Sequence, residues 1–216
     1  MTVSHVEVLV EEPSMEAALR EILPKILQKP HISIYPHQCK DELIQRLPYR
    51  LRGYANWLKS DWRILIIVDR DNDDCRQLKA ILENIASDAQ LITRSKAKGG
   101  FYQVVNRLVI EELESWYFGD WEAVQSAYPR VSKSTPERAK YRDPDAITGG
   151  TWEAFERILQ NAGYFKGGLR KIEAARTIAP YMNPERNRSR SFQVFCQTLA
   201  EMERRAEERE TRTGPS

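Results

Sequence analysis

The chain has 216 residues, 41% hydrophobic and 30% charged, so it suits one elaborated domain, or an ordinary domain with a smaller helical appendage. Its formal net charge of +2 does not by itself indicate a nucleic-acid-binding protein. No apolar run approaches the ~20 residues of a membrane span, and no basic start followed by an apolar stretch indicates a leader. We therefore expect a soluble, cytoplasmic protein with no membrane contact.

The first half of the chain alternates between strand and helix patterns. Short β-branched or apolar runs predict strands at 4–10, 31–35, 63–69, 89–94 and 104–110. Helical spacing predicts helices at 11–27 and 74–86, and a helix over 41–59 that is interrupted near Pro48 and Gly53. This alternation is typical of an α/β fold with a mostly parallel sheet flanked by helices.

The second half reads as helical, with helices expected at 111–128, 151–163, 167–182 and 191–210. We expect an α/β domain over 1–128, a basic loop or linker over 129–150, and a C-terminal helical extension over 151–216. The charged tail after Met202 is expected to fray, because it has almost no apolar residue to bury. Apolar residues of the last helix and the aromatic segment 114–121 either pack in the core or contact a partner.

The cysteines do not predict a disulfide frame or a zinc module. Cys39, Cys75 and Cys196 are far apart, odd in number and outside any C-x-x-C spacing, as expected for reduced cytoplasmic thiols. His37 and Cys39 could supply half a metal site, but no second half is visible.

Acidic residues follow two of the predicted strands. Glu11 and Glu12 follow the first strand, and Asp69, Asp71 and Asp73 follow the strand at 63–69. In an open parallel sheet, sites form at the carboxyl ends of strands. If the strand stays extended, Asp69 and Asp71 point the same way. Carboxylates that meet there would raise one another's pKa unless a cation lay among them, and Mg²⁺ or Mn²⁺ prefers such oxygen ligands.

Other interpretations of these aspartates stay open. Asp73 or Asp74 fits the N-cap of the following helix. A calcium loop of the EF-hand type fails, because Asp74 stands where its glycine belongs and Ala80 where its glutamate belongs. A phosphatase D-x-D motif is possible, although such motifs usually lie on the first strand with Thr or Val next, whereas Asn72 follows here.

A third acidic patch follows the strand at 104–110. Glu111, Glu112 and Glu114 could bring one carboxylate to the same site, as a second metal would require. The alternative is an acidic first helical turn favoured by the helix dipole.

The segments "VLVEEPSMEAALREIL" and "ILIIVDRDNDD" together resemble the Toprim superfamily pattern. In that pattern a glutamate ends the first strand and a D-x-D pair ends a later one. With "EELESWYFGDW", the match is similar to an uncharacterised bacterial family of unknown function (DUF4276-like) related to the overcoming-lysogenization-defect nucleases. The resemblance implies a Toprim-like, Rossmann-like sheet, with Glu11, Asp69 and Asp71 as catalytic residues. Glu12 and Asp74 depart from the pattern, where many Toprim domains have glycine.

The resemblance implies a metal-dependent phosphodiester hydrolase, a nuclease acting on DNA or RNA. Mg²⁺ or Mn²⁺ would be held by residues among Glu11, Asp69, Asp71, Asp73, Glu112 and Glu114. The region 130–190 carries 13 Lys or Arg against 7 Asp or Glu. We expect the nucleic-acid backbone to be contacted by basic residues among Lys96, Lys98, Lys133, Arg138, Lys140, Arg142, Arg170, Lys171, Arg186, Arg188 and Arg190.

The resemblance also implies a role in bacterial phage defence with an ATPase partner of the ABC-like or AAA type. The sequence contains no G-x-x-x-x-G-K-[ST] loop, so these residues do not form that ATPase themselves. A relaxing topoisomerase would need a separate gate domain, for which this sequence is too short. A primase of this superfamily usually carries a zinc module, which the three scattered cysteines cannot form. Hydrolytic cleavage is therefore the leading activity. Two alternatives remain: a non-catalytic regulatory or binding subunit of an ATPase complex, and a phosphatase-like hydrolase.

Overall fold

Four parallel strands form the sheet at the centre of the fold. The computed structural model describes residues 3–71, 73–98 and 100–212, with side chains as far as 203. Within these ranges the strands follow the spatial order β2-β1-β3-β4. Their bounds are β1 His5–Val10, β2 His31–Pro36, β3 Trp62–Asp69 and β4 Val104–Val109. The predicted α/β class with a mostly parallel sheet is confirmed.

The strand predicted at 89–94 is wrong. Only one parallel bridge forms there, between Thr93 and Val104. Gln90 lies two residues after the helix that ends at Asp88 and adopts a positive φ of 60°, which is outside the extended region of the backbone. The chain therefore turns at this point, and a continuous ladder does not form beside β4.

Eight helices flank the sheet in the described residues, together with four short 3₁₀ turns at 135–137, 139–141, 144–146 and 179–181. The helices are α1 Pro13–Ile26, α2 Lys40–Trp57, α3 Cys75–Asp88, α4 Glu114–Gly119, α5 Trp121–Ala127, α6 Thr151–Asn161, α7 Lys171–Ile178 and α8 Arg190–Arg212. None of them is long and apolar enough to cross a membrane.

Two helix predictions need correction. The break expected in 41–59 is absent, because α2 runs unbroken through Pro48 and Gly53. Its buried stripe of Leu43, Leu47, Leu51 and Tyr54 packs against the sheet, which outweighs the hydrogen bond that proline removes. The helix expected over 111–128 is divided into α4 and α5 at Asp120, whose side chain accepts from the Ala123 N–H to cap α5.

The direction of the connections places helices on both faces of the sheet. The chain moves one way from β1 to β2 and the other way from β2 to β3 and from β3 to β4. Because connections between parallel strands share one hand, α1 lies on the face opposite to α2 and α3. Val6, Val8 and Val10 pack with α1, α4 and α8, whereas Leu9 and Ile66 pack with α2 and α3.

The apolar residues of the last helix pack in the protein's own core. Phe192, Phe195, Leu199 and Met202 of α8 are buried, and the Phe192 ring lies 4.9 Å from the Trp116 ring. The aromatic segment 114–121 is buried with them. Partner docking through these residues is therefore contradicted. The fraying of the tail concerns residues beyond the described side chains, and the division of the chain into domains stays a prediction.

We expect Phe192→Ala to lower the free energy of unfolding by about 3–5 kcal/mol, because it leaves a cavity beside Trp116. Ile81→Ala on α3 is the control, because Ile81 is 45% exposed and should cost only about 0.5 kcal/mol. Urea unfolding of both variants measures the difference. Equal losses would contradict the packing of α8.

Candidate functional site

The candidate site lies where the sheet changes direction, between β1 and β3. Chain connections leave β1 and β3 toward opposite edges of the sheet, so a crevice forms at their carboxyl ends. The crevice has a volume of about 410 Å³. Its lining residues are Glu11, Glu12, Gln38, Cys39, Lys40, Asp41, Asp69, Asp71, Asp73, Glu112 and Lys171. Five of the six predicted metal ligands therefore line the crevice, and Glu114 is the one that does not.

Glu11 and Asp69 form the buried centre of the crevice. The Asp69 backbone N–H donates to Glu11 Oε2 at 3.2 Å, and the Leu113 N–H donates to Asp69 Oδ2 at 3.3 Å. Asp69 is 3% exposed, and its Oδ1 atom has no hydrogen-bond partner among the described residues. A buried carboxylate oxygen without a donor is costly, so this atom is suited to a ligand.

Burial and mutual repulsion raise the pKa values of this pair. Burial raises the pKa of Glu11 to about 7, with a further contribution from the charge of Asp71. Burial also raises the pKa of Asp69 well above its usual value, and the charges of Glu11 and Glu12 add to this. The pair therefore ionises at neutral pH with difficulty unless a cation compensates the charge.

Asp71 reaches the crevice by a route that the sequence did not predict. β3 ends at Asp69, and Asp71 has a φ of 49°, so the expected extended alternation of the two side chains is wrong. A left-handed turn brings Asp71 back, and its charge still acts on Glu11 and Asp69. Its Oδ2 atom lies 2.5 Å from the Lys40 ammonium.

Lys40 is a site residue that sequence reasoning missed. Its Nζ contacts Asp73 Oδ2 at 2.8 Å as well as Asp71. Burial lowers the Lys40 pKa, but hydrogen bonds to both aspartates outweigh it, so the pKa is raised and the side chain stays charged. Its position in the sequence could have identified it, because Lys40 follows the carboxyl end of β2, which lies at the same edge of the sheet.

The three glutamates of the third acidic patch make different contacts. Arg70 forms an ion pair with Glu111, and Glu112 Oε2 accepts from Thr151 Oγ1 at 2.7 Å and from the Trp152 N–H at 2.9 Å. Glu112 therefore caps the start of α6. Glu114 is 1% exposed, and its Oε2 atom has no hydrogen-bond partner among the described residues.

Glu12 and Lys171 lie together in the crevice. The Lys171 Nζ is 3.9 Å from Glu12 Oε2, and the other partner of Glu12 is the Ser14 hydroxyl, which donates to Oε1. Burial lowers the Lys171 pKa, yet the charges of Glu114, Glu12, Glu112 and Asp69 together raise it. Lys171 is therefore a cation within the acidic site.

The other predicted nucleic-acid contacts are not gathered at the crevice. Of the eleven basic residues, Lys171 is the only one that lines it in the part of the chain that the structure describes. Arg186 holds Asp120 at 2.7 Å and Glu122 at 2.7 Å, which is a structural role. Arg170 pairs with Glu173, and the Lys96 ammonium donates to Ser87 Oγ.

The residues fit a hard divalent cation, although the ligands are not preassembled. Within residues 3–71, 73–98 and 100–203, no three His, Cys, Asp or Glu side chains already converge on a common metal position. The oxygen-rich donors and the partnerless Asp69 Oδ1 match the preference of Mg²⁺ or Mn²⁺. His37 does not join them, because its Nδ1 contacts the Val10 carbonyl at 2.9 Å. All three cysteines are free thiols.

Asp74 caps the first turn of α3. Its Oδ1 atom accepts from the backbone N–H groups of Arg76 and Gln77, both at 2.9 Å. The N-cap interpretation is confirmed for Asp74, so this carboxylate orients the start of α3 rather than the crevice.

Glu114→Gln should stabilise the protein at pH 8 more than at pH 5. Burial raises the Glu114 pKa from 4.5 to about 7, so its stability contribution is complete below about pH 4.5 and lost as pH rises through about 7. This loss is on the order of 3 kcal/mol and is absent from the glutamine variant. Urea unfolding at both pH values measures it, with exposed Glu185→Gln as control. A gain independent of pH would contradict the assigned titration.

Comparison with known proteins identifies the family but not the activity. No match to the chain is found among curated proteins. The C-terminal region of the OLD protein of Xanthomonas campestris pv. campestris is structurally similar, at 18% identity and a TM-score of 0.47, over 97% of this chain and 96% of that chain. The family model described as "Domain of unknown function (DUF4276)" matches residues 10–200. The chain therefore belongs to the DUF4276 family.

Proposed function

We propose that the chain is a metal-dependent phosphodiester hydrolase of the Toprim type, a nuclease that acts on DNA or RNA. The observation that carries the proposal is the buried Asp69 Oδ1 atom, which lies next to Glu11 at the carboxyl edge of the sheet and has no hydrogen-bond partner among the described residues. A buried carboxylate oxygen held in this way is suited to bind a cation. The arrangement of a glutamate after β1 and aspartates after β3 also follows the Toprim pattern in the sequence.

Glu11, Asp69 and Asp71 are the residues that would hold Mg²⁺ or Mn²⁺. Such an ion, when bound, supplies Lewis-acid stabilisation of phosphate charge and an activated water. The protein orients its own groups for this task. The Leu113 N–H fixes the Asp69 carboxylate, and the Asp69 N–H fixes that of Glu11.

The two lysines supply positive charge to an otherwise acidic crevice. Lys171 is charged and lies beside Glu12, where its ammonium can donate a hydrogen bond to a phosphate oxygen. Lys40 holds Asp71 and Asp73 and limits their repulsion of an anionic substrate. Without these cations the carboxylates would repel a nucleic-acid backbone.

A second candidate function is a non-catalytic subunit of an ATPase complex in a bacterial defence system. Lys40 is the observation that favours it, because its ammonium already neutralises Asp71 and Asp73 as a cation would. In that case the crevice is structural and needs no metal. A partner of the ABC-like or AAA type is compatible with both functions, and the two candidates differ in metal binding and cleavage.

Millimolar Mn²⁺ should raise the melting temperature of the protein at neutral pH. Binding to the folded state alone adds about 2.7 kcal/mol when the metal is at a hundredfold excess over its dissociation constant. Asp69→Asn should abolish this shift, while the metal-free variant melts slightly higher because a buried repulsive charge is gone. Asp88→Asn, an exposed change on α3, should retain the shift. No shift in the wild-type protein would favour the structural role of the crevice.

Glu11→Gln and Asp69→Asn should remove nearly all metal-dependent cleavage while the protein stays folded. Each replaces a candidate charged ligand with a group of similar shape. Glu12→Gln should reduce cleavage less, because the Glu12 carboxylate contacts Ser14 and Lys171. Plasmid DNA, single strands and transfer RNA are the substrates, with Asp88→Asn as the active control.

Two outcomes would change the assignment. Equal losses for Glu11→Gln and Glu12→Gln would show that the wrong glutamate has been assigned to the metal. Full cleavage by all the variants would place the activity outside the crevice.

A further inference from the structure

Beyond its acidic first turn, α2 exposes positive charge without further acidic residues. Positions 43–60 contain four cationic side chains and neither Asp nor Glu. Arg46 and Arg52 are exposed on α2, Arg50 is half-buried against the Tyr35 ring, and Lys59 follows two residues after the helix ends. Arg46 pairs with Glu42 at 2.9 Å, one turn earlier on the helix. The face is therefore a local positive surface on a chain of nearly balanced charge.

Aromatic rings lie between these cations and are open to solvent. Tyr49 is 74% exposed and Trp57 is 54% exposed. The Arg52 guanidinium lies 5.0 Å from the centre of the Tyr49 ring, and the Trp57 ring packs edge-on against Trp62 at 5.7 Å. Neighbouring groups thus orient both rings while leaving ring surface uncovered.

The rings share one face of the helix, with a gap between them. At 100° per residue, Tyr49, Gly53 and Trp57 fall on the same side, and the two rings are separated by roughly 12 Å along the axis. A Cβ atom added at Gly53 would meet nothing within 4 Å. Glycine weakens a helix interior relative to alanine, and here the missing side chain leaves the helix surface between the two rings uncovered.

We propose that this face of α2 binds single-stranded nucleic acid. Bases stack on exposed aromatic rings, and arginine and lysine neutralise the phosphates between them. The occupant is a single strand because the faces of paired bases in a duplex are already covered by their neighbours. Because cations lie beside the rings, charge complementarity favours an anionic ligand over a cationic or wholly apolar one.

The face continues from the candidate site. α2 begins at Lys40, which lines the crevice, and Tyr49 lies about 14 Å further along the helix. That distance corresponds to about four stacked nucleotides at ~3.4 Å each. The inference therefore deepens the proposed function by naming the form of the substrate and the surface that guides it to the crevice.

Fluorescence anisotropy in EDTA tests binding without cleavage. The probes are labelled oligothymidylate and oligouridylate of about 20 nucleotides, which separate DNA from RNA, and a duplex of the same length. The proteins are the wild type, the double variant Tyr49→Ala/Trp57→Ala, and Arg52→Ala. Tyr181→Ala is the matched control, because Tyr181 is 52% exposed outside α2. Circular dichroism melting checks that each variant is folded.

We expect the wild type to bind at least one single strand more tightly than the duplex. The double variant should bind that strand at least about tenfold more weakly, and Tyr181→Ala should match the wild type. Arg52→Ala should reduce the slope of log affinity against log salt by about 0.7, the value for one phosphate contact on a single strand.

Other outcomes would overturn the inference. These are unchanged affinity in the double variant, equal losses in Tyr181→Ala, or preference for the duplex. A wild-type dimer that the double variant converts to a monomer, with no binding of either strand, would assign the face to a second copy of the chain. If the wild type binds single strands as expected but cleaves nothing with Mg²⁺ or Mn²⁺, the proposed function fails while this inference stands.

Discussion

The burial of the Asp69 carboxylate at the end of β3 is the constraint on which the site depends. Its backbone N–H holds Glu11, one of its oxygens accepts from Leu113, and the other has no partner in the described structure. A charged oxygen in this position is tolerated only if a proton or a cation compensates it. Burial raises the pKa values of Glu11 and Asp69 and so favours proton binding, and cation binding is the basis of the proposed activity.

The fold supplies compensating charge from helices on both faces of the sheet. Lys40 comes from the start of α2, and Lys171 comes from the start of α7. The sheet order makes this possible, because α2 follows β2 and returns across β1 to reach β3. The crevice thus combines buried carboxylates with two ammonium groups, an arrangement that suits an anionic substrate better than an acidic cluster alone.

The crevice and the outer face of α2 differ in chemistry, although α2 begins in the crevice at Lys40. The crevice offers oxygen ligands for a cation, whereas the α2 face offers rings and cations for bases and phosphates. Tyr49 and Trp57 are exposed on a helix whose opposite side is buried in the core. On the proposed function, a metal held in the crevice would act on the phosphate and the α2 face would select the strand.

The sequence by itself determined the α/β class and the meeting of Glu11 with Asp69, because the apolar strands are local patterns and parallel strands end at one edge. Only the tertiary structure decided that α2 stays unbroken through Pro48, since packing of its buried stripe against the sheet outweighs a local breaker. It also decided the left-handed turn at Asp71 and the contact from Lys40. The Lys40 contact joins residues about thirty positions apart, and such contacts arise from chain packing, which no local pattern of residues encodes.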